Sequence, residues 1–123
     1  MSVAGLGFRA AATLASLDEL LLRLDLTPGA QLALPAFRQI HPLTGELQAR
    51  GFGIRFIPEA ALRGVSTPTR SPRVLARFGT GSIAEACALV AAGPAARIIL
   101  PRVVSTDGCA TAALARSDER PDP

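Results

Sequence analysis

The segment Gly79-Thr-Gly-Ser82 brings together residue types that bind an anion. It directly precedes the apolar run Ile83–Ala92, whose length and composition predict a buried helix. Two glycines allow backbone amides to turn towards a ligand, and the start of a helix offers unpaired N–H groups and a partial positive charge. The segment is therefore a candidate site for an acidic group of a ligand.

Glu85 lies three residues after Ser82 and is the one carboxylate between residues 60 and 106. Its isolation makes it the candidate general base of this half of the chain. The Ser-x-x-Glu spacing is also that of a capping box, in which both side chains satisfy backbone N–H groups at a helix start. The capping role is the simpler interpretation. The two roles are compatible, because such a carboxylate would still lie near a ligand bound there.

Basic charge is concentrated in the same half. Residues 60–106 contain six arginines against that one acid, and the whole chain has 13 arginines, no lysine and a net charge of +3. Arginine stays protonated and binds carboxylate or phosphate through a planar fork, so the segment predicts an acidic ligand. The alternative is that these six arginines are spread over solvent-exposed surface and bind no ligand. The lack of lysine excludes Schiff-base chemistry and a phosphate-binding P-loop.

A second glycine pair, Gly5 and Gly7, precedes Arg9 near the N-terminus. It loosely matches a dinucleotide-binding fingerprint, but the next helix signal begins only at Ser16, and Asp25 falls at a helix end rather than a strand end. Two other interpretations stay open. The glycines give clearance to the backbone of a strand, or a ligand approaches that backbone while Arg9 contacts its acidic group.

The composition narrows the class of protein. A chain of 123 residues with 49% hydrophobic residues and a mean hydropathy of +0.33 is long enough for one domain with a buried core. Five Phe, with no Trp or Tyr, argue against a nucleic-acid module built on stacking. Cys87, Cys109 and His41 are too few for structural zinc, and we predict no metal or cofactor. No segment has the length of a membrane span or the pattern of a signal peptide, so a cytoplasmic protein is expected.

The elements that would position these residues alternate between strand and helix. Five segments have strand patterns: Ser2–Phe8, Gln31–Pro35, Gly53–Ile57, Ala96–Ser105 and Cys109–Ala115. Helices are predicted at 16–26, opened by a capping box of Ser16 and Glu19, at 42–50 and at 83–92, with a short turn at 58–62 and either helix or strand at 74–78. The alternation predicts an α/β fold with a mixed sheet.

Turn and loop signals complete this map. Asp107-Gly108 predicts a two-residue hairpin turn, and Pro101 restricts its strand to a sheet edge or a bulge. Residues 64–71, with four hydroxyl side chains, predict an extended or turning loop. Residues 1–116 form the predicted single domain, and residues 117–123, with three acids and two prolines, form a predicted disordered acidic tail.

Four segments taken together resemble one known family. They are Gly5-Leu-Gly7-Phe-Arg9, Thr67-Pro-Thr-Arg-Ser-Pro-Arg-Val74, Gly79-Thr-Gly-Ser-Ile-Ala-Glu-Ala86 and Ser105-Thr-Asp-Gly-Cys-Ala-Thr-Ala112. Across residues 1–116 the chain resembles the CobE family, which is similar to the C-terminal domain of CbiG in cobalamin biosynthesis. Arg38 departs from this pattern, since many relatives carry a lysine in that segment.

The resemblance implies a three-layer α/β/α sandwich with a mainly parallel sheet of five strands, a cytosolic protein and a place in corrin-ring construction. CbiG-type proteins open the δ-lactone of a cobalt-precorrin and release a two-carbon aldehyde. Precorrins are apolar macrocycles fringed with acetate and propionate groups, which suits the excess of arginine. The implied binding residues are Gly5, Gly7, Arg9, Arg38, Thr67, Thr69, Arg70, Ser71, Gly79, Thr80, Gly81, Ser82, Asp107, Gly108 and Thr111.

Three functions are consistent with the sequence. The first is a protein that binds a polycarboxylate precorrin and assists lactone opening, with Glu85 or the hydroxyl groups of residues 66–71 positioning a water. The second is a non-catalytic carrier that hands precorrin intermediates between pathway enzymes such as the methyltransferases. The third is an unrelated anion- or nucleotide-binding module. Neither a nucleic acid nor a membrane is an expected partner.

Overall fold

The computed structural model describes residues 2–117. Its strands are β1 (Ser2–Phe8), β2 (Gln31–Pro35), β3 (Gly53–Ile57), β4 (Ala96–Val104) and β5 (Ala110–Ser117). Its helices are α1 (Leu14–Arg23), α2 (Pro42–Ala49), α3 (Glu59–Leu62), α4 (Pro72–Phe78) and α5 (Ile83–Ala92), with a 3₁₀ turn at Ala36–Arg38. Ser117, predicted as the start of the tail, is a buried residue of β5. The rest of the predicted tail, residues 118–123, lies outside the described residues.

The five strands form one mixed sheet in the order β3-β2-β1-β5-β4. β1, β2 and β3 pair in parallel, whereas β5 runs antiparallel to both of its neighbours, β1 and β4. The prediction of a mainly parallel sheet that ends in an antiparallel hairpin is confirmed. Pro101 lies in the edge strand β4, where its missing N–H breaks no pairing, and the register of β4 against β5 shifts on both sides of Leu100.

Alternation along the strands divides the core into two clusters, one on each face of the sheet. One cluster joins Leu6 and Leu32 to the leucines of α1 and α2. The other joins Val3 and Ala33 to α3 and α5. Helices therefore cover both faces, which confirms the three-layer α/β/α arrangement that the resemblance implied.

Helix α5 lies against β1 at backbone distance. A Cβ atom on Gly5 would lie 1.8 Å from the carbonyl oxygen of Ala84 and 2.8 Å from the amide nitrogen of Ala88. Gly5 therefore gives clearance, and a helix rather than a ligand fills the space. Seven residues of α5 are buried, as its apolar composition predicts.

Within residues 2–117 no single helix is long and apolar enough to cross a membrane. Helices α4 and α5 reach that length and hydropathy only when taken together, and they are bent by 57° relative to each other.

Helix α1 begins earlier than predicted and is capped differently. Thr13 is its N-cap, and the Thr13 N–H donates to Ser16 Oγ over 3.2 Å. The predicted capping box of Ser16 and Glu19 is therefore wrong, because Ser16 already occupies the third helical position. Glu19 instead accepts hydrogen bonds from the N–H and the hydroxyl of Thr106, each over 3.0 Å, which ties α1 to the loop between β4 and β5.

The hairpin of β4 and β5 closes with a hydrogen bond of 2.9 Å from the Ser105 N–H to the Ala110 carbonyl oxygen, which leaves four residues, 106–109, in the turn. The predicted two-residue turn is wrong, since the Asp107 carboxylate organises a wider loop. It accepts bonds from the hydroxyls of Ser105 (2.6 Å) and Ser16 and from a backbone N–H of the loop (3.0 Å). These bonds, the one from Ser105 above all, lower the pKa of Asp107 to about 2.

Gly5→Ala tests how closely α5 must approach β1. We expect the substitution to reduce the free energy of unfolding by about 3 kcal/mol or more, because the added methyl group overlaps a backbone carbonyl that no side-chain rotation can move. Urea unfolding followed by circular dichroism measures the loss.

Gly45→Ala is the matched control for that substitution. Gly45 lies inside α2, and no atom lies within 4 Å of its Cβ position. Alanine should therefore raise the free energy of unfolding by about 0.5–1 kcal/mol, because it restricts the unfolded chain and fits the helix. Equal losses at both positions would contradict the close contact at Gly5.

Asp107→Asn tests the anchor of the hairpin loop. The pKa of Asp107 is about 2 in the folded protein and about 4 in an unfolded chain, so the ionised carboxylate stabilises the fold at neutral pH. That contribution is lost as the pH falls from about 4 to about 2. We expect the wild type to melt at a higher temperature than Asp107→Asn at neutral pH, with the difference shrinking over that acidic interval. A difference that does not change with pH would count against the anchor.

Candidate functional site

An open cavity of about 460 Å³ lies at the carboxyl ends of β1 and β2. Its lining comes from the end of β1, the 3₁₀ turn after β2, one side of α4, the start of α5 and the loop between β4 and β5. In the sheet, β2 and then β3 lie on one side of β1, whereas β5 and then β4 lie on the other side. The cavity therefore lies where the strand order reverses, which is the usual place for a ligand in an open α/β sheet.

Five arginines line this cavity, which we call the arginine pocket: Arg9, Arg38, Arg73, Arg77 and Arg102. No aspartate or glutamate is among the lining residues. The carboxylates of α1 and α2 pair with Arg23 and Arg50 instead, and none of the five pocket arginines forms an ion pair within residues 2–117. Their positive charges remain available to an acidic ligand.

Arg38 is held in place by the protein itself. Pro35 ends β2, and the 3₁₀ turn that follows carries Arg38 across the end of β1. There its Nε donates a hydrogen bond of 2.7 Å to the carbonyl oxygen of Phe8. This bond uses one of the five N–H donors of the guanidinium, so the terminal fork is left to bind a carboxylate.

Helix α4 supplies two further arginines. Arg73 and Arg77 are four residues apart, so they lie on the same side of the helix. The helix begins with Pro72 and ends at Gly79, which has a φ of +73°, a left-handed conformation that favours glycine. Residues 74–78, for which the sequence fits either helix or strand, are therefore helical.

The Gly79–Ser82 segment packs against the 64–71 loop instead of opening towards the pocket. A Cβ atom on Gly81 would lie 2.1 Å from a carbonyl oxygen of that loop. The hydroxyl of Thr80 is buried and donates to another loop carbonyl over 2.7 Å. Ser82 is the one residue of the segment in the pocket lining. Gly81 is therefore required for close packing against the loop, and the role of these glycines in holding an anion stays a prediction.

A smaller cleft of about 240 Å³ lies between the 64–71 loop and α4. It contains the predicted residues Thr67, Arg70, Gly79 and Gly81, none of which lines the arginine pocket. The two cavities are neighbours, because two consecutive residues line them: Arg70 lines the smaller cavity and Ser71 lines the larger one. The structure therefore divides most of the predicted binding residues between two cavities, and four of them line neither: Gly5, Thr69, Thr80 and Asp107.

The carboxylate of Glu85 joins the 64–71 loop to β4. It accepts hydrogen bonds from the N–H and the hydroxyl of Thr69 (2.9 and 2.8 Å) and from the N–H of Arg102 (2.8 Å). The Glu85 N–H donates to Ser82 Oγ over 3.3 Å, so one half of the predicted capping box is present. Glu85 is fully buried and lines neither cavity, so its carboxylate serves as a structural clamp, and its role as a general base stays a prediction.

The hairpin contributes part of the pocket wall. Gly108, Cys109 and Thr111 line the pocket, and the Thr111 hydroxyl donates to the carbonyl oxygen of Gly7 over 3.3 Å. Asp107, which was expected to bind the ligand, is not a lining residue, because its carboxylate is occupied by the loop and by α1. Its role is to shape the loop that places its neighbours.

Sequence reasoning missed the apolar lining of the pocket. It consists of Phe8, Pro35, Phe37, Val74, Phe78, Ile83 and Val104. The charge excess points to Arg73, Arg77 and Arg102 as members of a basic half, without showing that they face one cavity. For Arg73 and Arg77, their spacing inside a segment bounded by Pro72 and Gly79 is a signal that predicts a shared helix side.

The remaining reactive side chains have structural positions. Both cysteines are free, and burial raises the pKa of the Cys87 thiol to about 12, which makes it inert. His41 caps α2, its Nδ1 accepting the Leu43 N–H over 3.1 Å, and its Nε2 lies 2.9 Å from the Ala10 carbonyl oxygen. No group of three or more His, Cys, Asp or Glu within residues 2–117 is arranged to hold a metal ion.

Comparison with known proteins identifies relatives of the whole domain. A family model described as "Cobalamin synthesis G C-terminus" matches residues 2–115. The structure is similar to that of CobE, a protein from the cobalamin (vitamin B12) biosynthetic pathway, with a TM-score of 0.76 and 25% identity over 98% of this chain and 93% of CobE. It is also similar to cobalamin biosynthesis protein chiG from Agrobacterium tumefaciens, with a TM-score of 0.68 and 25% identity over 97% of this chain and 100% of that one.

A cobalamin biosynthesis protein G homolog from Sulfolobus solfataricus shares the fold at 19% identity, with a TM-score of 0.64. That match covers 93% of this chain but 36% of the homolog. No significant match is found among curated protein sequences. The family match covers nearly all of the described residues, and the three structural neighbours cover between 93% and 98% of this chain. This chain therefore belongs to the cobalamin synthesis G C-terminus family of cobalamin biosynthesis proteins.

Proposed function

We propose that this protein binds a polycarboxylate precorrin intermediate of corrin-ring construction in the arginine pocket. The observation that carries the proposal is the lining of that pocket, which has five arginines and no carboxylate. A precorrin carries acetate and propionate groups around one ring, so its site needs cations that converge from several directions. Arg9, Arg38, Arg102 and the two arginines of α4 come from four separate segments and meet this requirement.

The rest of the lining suits the macrocycle itself. The rings of Phe8, Phe37 and Phe78 form an apolar wall between the arginines. A cavity of 460 Å³ falls within the range that holds a drug-sized molecule. A tetrapyrrole is larger than that, so one side of the ring would stay in solvent, accessible to a second protein.

The pocket side chains favour holding the ligand over opening its lactone. Hydrolysis needs a group that activates water, and no carboxylate or histidine of residues 2–117 lines the pocket. Arginine stays protonated and therefore does not serve as the base. We infer a non-catalytic role, in which the protein holds a labile precorrin and hands it to a pathway enzyme such as a methyltransferase.

Adding corrin intermediates to the purified protein tests this role. A holding protein shifts the visible absorption spectrum of the bound ring and releases no aldehyde. Release of the two-carbon aldehyde over repeated turnovers would establish lactone opening instead. The absence of a spectral shift with any tetrapyrrole would contradict binding in either form.

The double variant Arg73→Gln with Arg77→Gln tests the charge of the pocket. It removes two lining cations and keeps most of their side-chain length. We expect the affinity for a corrin intermediate to fall by about 10- to 100-fold, because each charge-assisted hydrogen bond to a carboxylate is lost and only part of that loss is offset by easier desolvation. Titration followed by absorption spectroscopy measures the change.

The double variant Arg23→Gln with Arg50→Gln is the matched control. It removes the same charge from surface arginines that pair with carboxylates outside the pocket. We expect its affinity for the corrin intermediate to remain close to that of the wild type, since exposed ion pairs contribute little to stability and neither arginine lines the pocket. Equal weakening by both double variants would show a general effect of net charge and contradict the assigned site.

Glu85→Gln separates a clamp from a general base. The side-chain amide presents N–H donors where three donors already converge, so at least one buried N–H or O–H loses its acceptor. We expect the free energy of unfolding to fall by about 1–3 kcal/mol, measured by urea unfolding. The exposed residue Glu46, replaced in the same way, should show a change of about 0.5 kcal/mol or less. If the wild type does release aldehyde, loss of that release in a fully stable Glu85→Gln variant would establish the catalytic role of Glu85.

A further inference from the structure

The main chain on both sides of Arg9 is held by two side chains from the segment between β2 and α2. Arg38 Nε donates a hydrogen bond of 2.7 Å to the carbonyl oxygen of Phe8, the residue before Arg9. His41 Nε2 lies 2.9 Å from the carbonyl oxygen of Ala10, the residue after it. The two contacts therefore bracket an arginine that lines the arginine pocket.

The hydrogen bonds of the His41 ring determine which of its nitrogens carries the proton. Nδ1 accepts the N–H of Leu43 over 3.1 Å as the N-cap of α2, so this nitrogen carries no proton. In the neutral ring the proton is then on Nε2, which donates it to the Ala10 carbonyl oxygen. His41 thus fixes the start of α2 with one nitrogen and the segment after β1 with the other.

Residues 9–11, the segment that His41 holds, are exposed to solvent. The Arg9 N–H donates to the Cys109 carbonyl oxygen over 2.8 Å, and the Ala12 N–H donates to the Arg9 carbonyl oxygen over 3.0 Å. These backbone bonds fix the two ends of the turn, and the bond from His41 fixes the peptide unit between them. A fixed backbone limits where the Arg9 guanidinium reaches, so less conformational entropy is lost when a ligand orders it.

We infer that His41 is a positioning residue of the arginine pocket, because its hydrogen bond to the Ala10 carbonyl holds Arg9 where the guanidinium binds a carboxylate of the ligand. His41 does not line the pocket, so it acts through Arg9. The alternative route is through Phe8, whose ring packs edge-on against His41 with centroids 5.0 Å apart. The inference rests on the proposed function, since it concerns how the same site is held.

His41→Ser removes the bond to Ala10 and keeps the cap of α2. Serine is a strong N-cap residue, but its side chain is too short to replace Nε2. We expect the ¹⁵N order parameter of the Ala11 amide, which shares a peptide unit with the Ala10 carbonyl, to fall from about 0.85 to about 0.6 or below. Urea unfolding verifies that the fold is retained, and His41→Asn, which also caps, replaces His41→Ser if the latter does not fold. An unchanged order parameter would overturn the inference.

Hydrogenobyrinic acid, a metal-free corrin whose peripheral groups are carboxylic acids, is the probe for binding. Absorption titration should show that His41→Ser raises the Kd by about 3- to 10-fold, the effect of leaving one long side chain unordered before binding. Arg9→Gln removes the charge itself, so adding His41→Ser to it should change the Kd by less than about twofold.

Arg73→Gln provides the matched double-mutant cycle. Arg73 lines the same pocket but comes from α4, which positions it independently of residues 9–11. The Kd increases of Arg73→Gln and His41→Ser should therefore multiply when the two are combined. Coupling of His41 to Arg9 together with independence from Arg73 is the result that a general loss of structure would not produce.

Three binding results would contradict these expectations. A Kd that His41→Ser leaves unchanged would overturn the positioning role and leave precorrin binding intact. An increase that persists in full in the Arg9→Gln background would also overturn it and assign the effect to Phe8. A wild type that does not bind hydrogenobyrinic acid would overturn the proposed function, and the positioning role with it.

Discussion

The backbone contact between α5 and β1 is the constraint on which the rest of the site depends. Because Gly5 has no side chain, α5 rests directly on β1, the central strand of the five-stranded sheet. That depth places the start of α5 in the pocket wall beside Gly7 and puts Glu85 within reach of both the 64–71 loop and β4. A helix held further from the sheet would carry Glu85 away from these partners, so one missing methyl group determines how two distant segments attach.

The pocket keeps its positive charge because, within residues 2–117, no carboxylate forms an ion pair with the guanidinium group of a pocket arginine. Arg38 is fixed by a backbone carbonyl, Arg77 lies against an aromatic ring, and the main chain of Arg102 is bound by the Glu85 clamp. Carboxylates near the pocket are occupied elsewhere: Asp107 shapes the hairpin loop and Glu19 binds Thr106. The guanidinium groups of Arg38 and Arg77 are thus held in place by uncharged groups and keep their full positive charge.

The strands and the main helices could be predicted from the sequence, because their alternating patterns report directly which side chains are buried. The cap of α1 and the role of Gly5 could not be predicted in this way. Thr13 and Ser16 both suit a helix start, and their order is decided by the contact of Ser16 with Asp107, which is distant in the sequence. The sequence does not distinguish a glycine that makes room for a ligand from one that makes room for a helix. Only the distances from Gly5 to the backbone of α5 show that it is of the second kind. The same holds for arginines, since only the packing of α4 shows which of them share a cavity.

The place of β5 in the sheet has a consequence for how the domain is made. It follows every other strand in the chain, yet it pairs between β1 and β4, with Arg116 opposite Ser2. This pairing joins nearly the two ends of the described chain. The chain therefore loses the entropy of closing this long loop only when β5 pairs, and folding depends on contacts between residues far apart in the sequence. During synthesis, the edge of β1 that pairs with β5 stays without its partner until β5 has left the ribosome. Because Gly7 of β1 and Thr111 of β5 both line the pocket, the pocket wall is complete only once β5 has paired with β1.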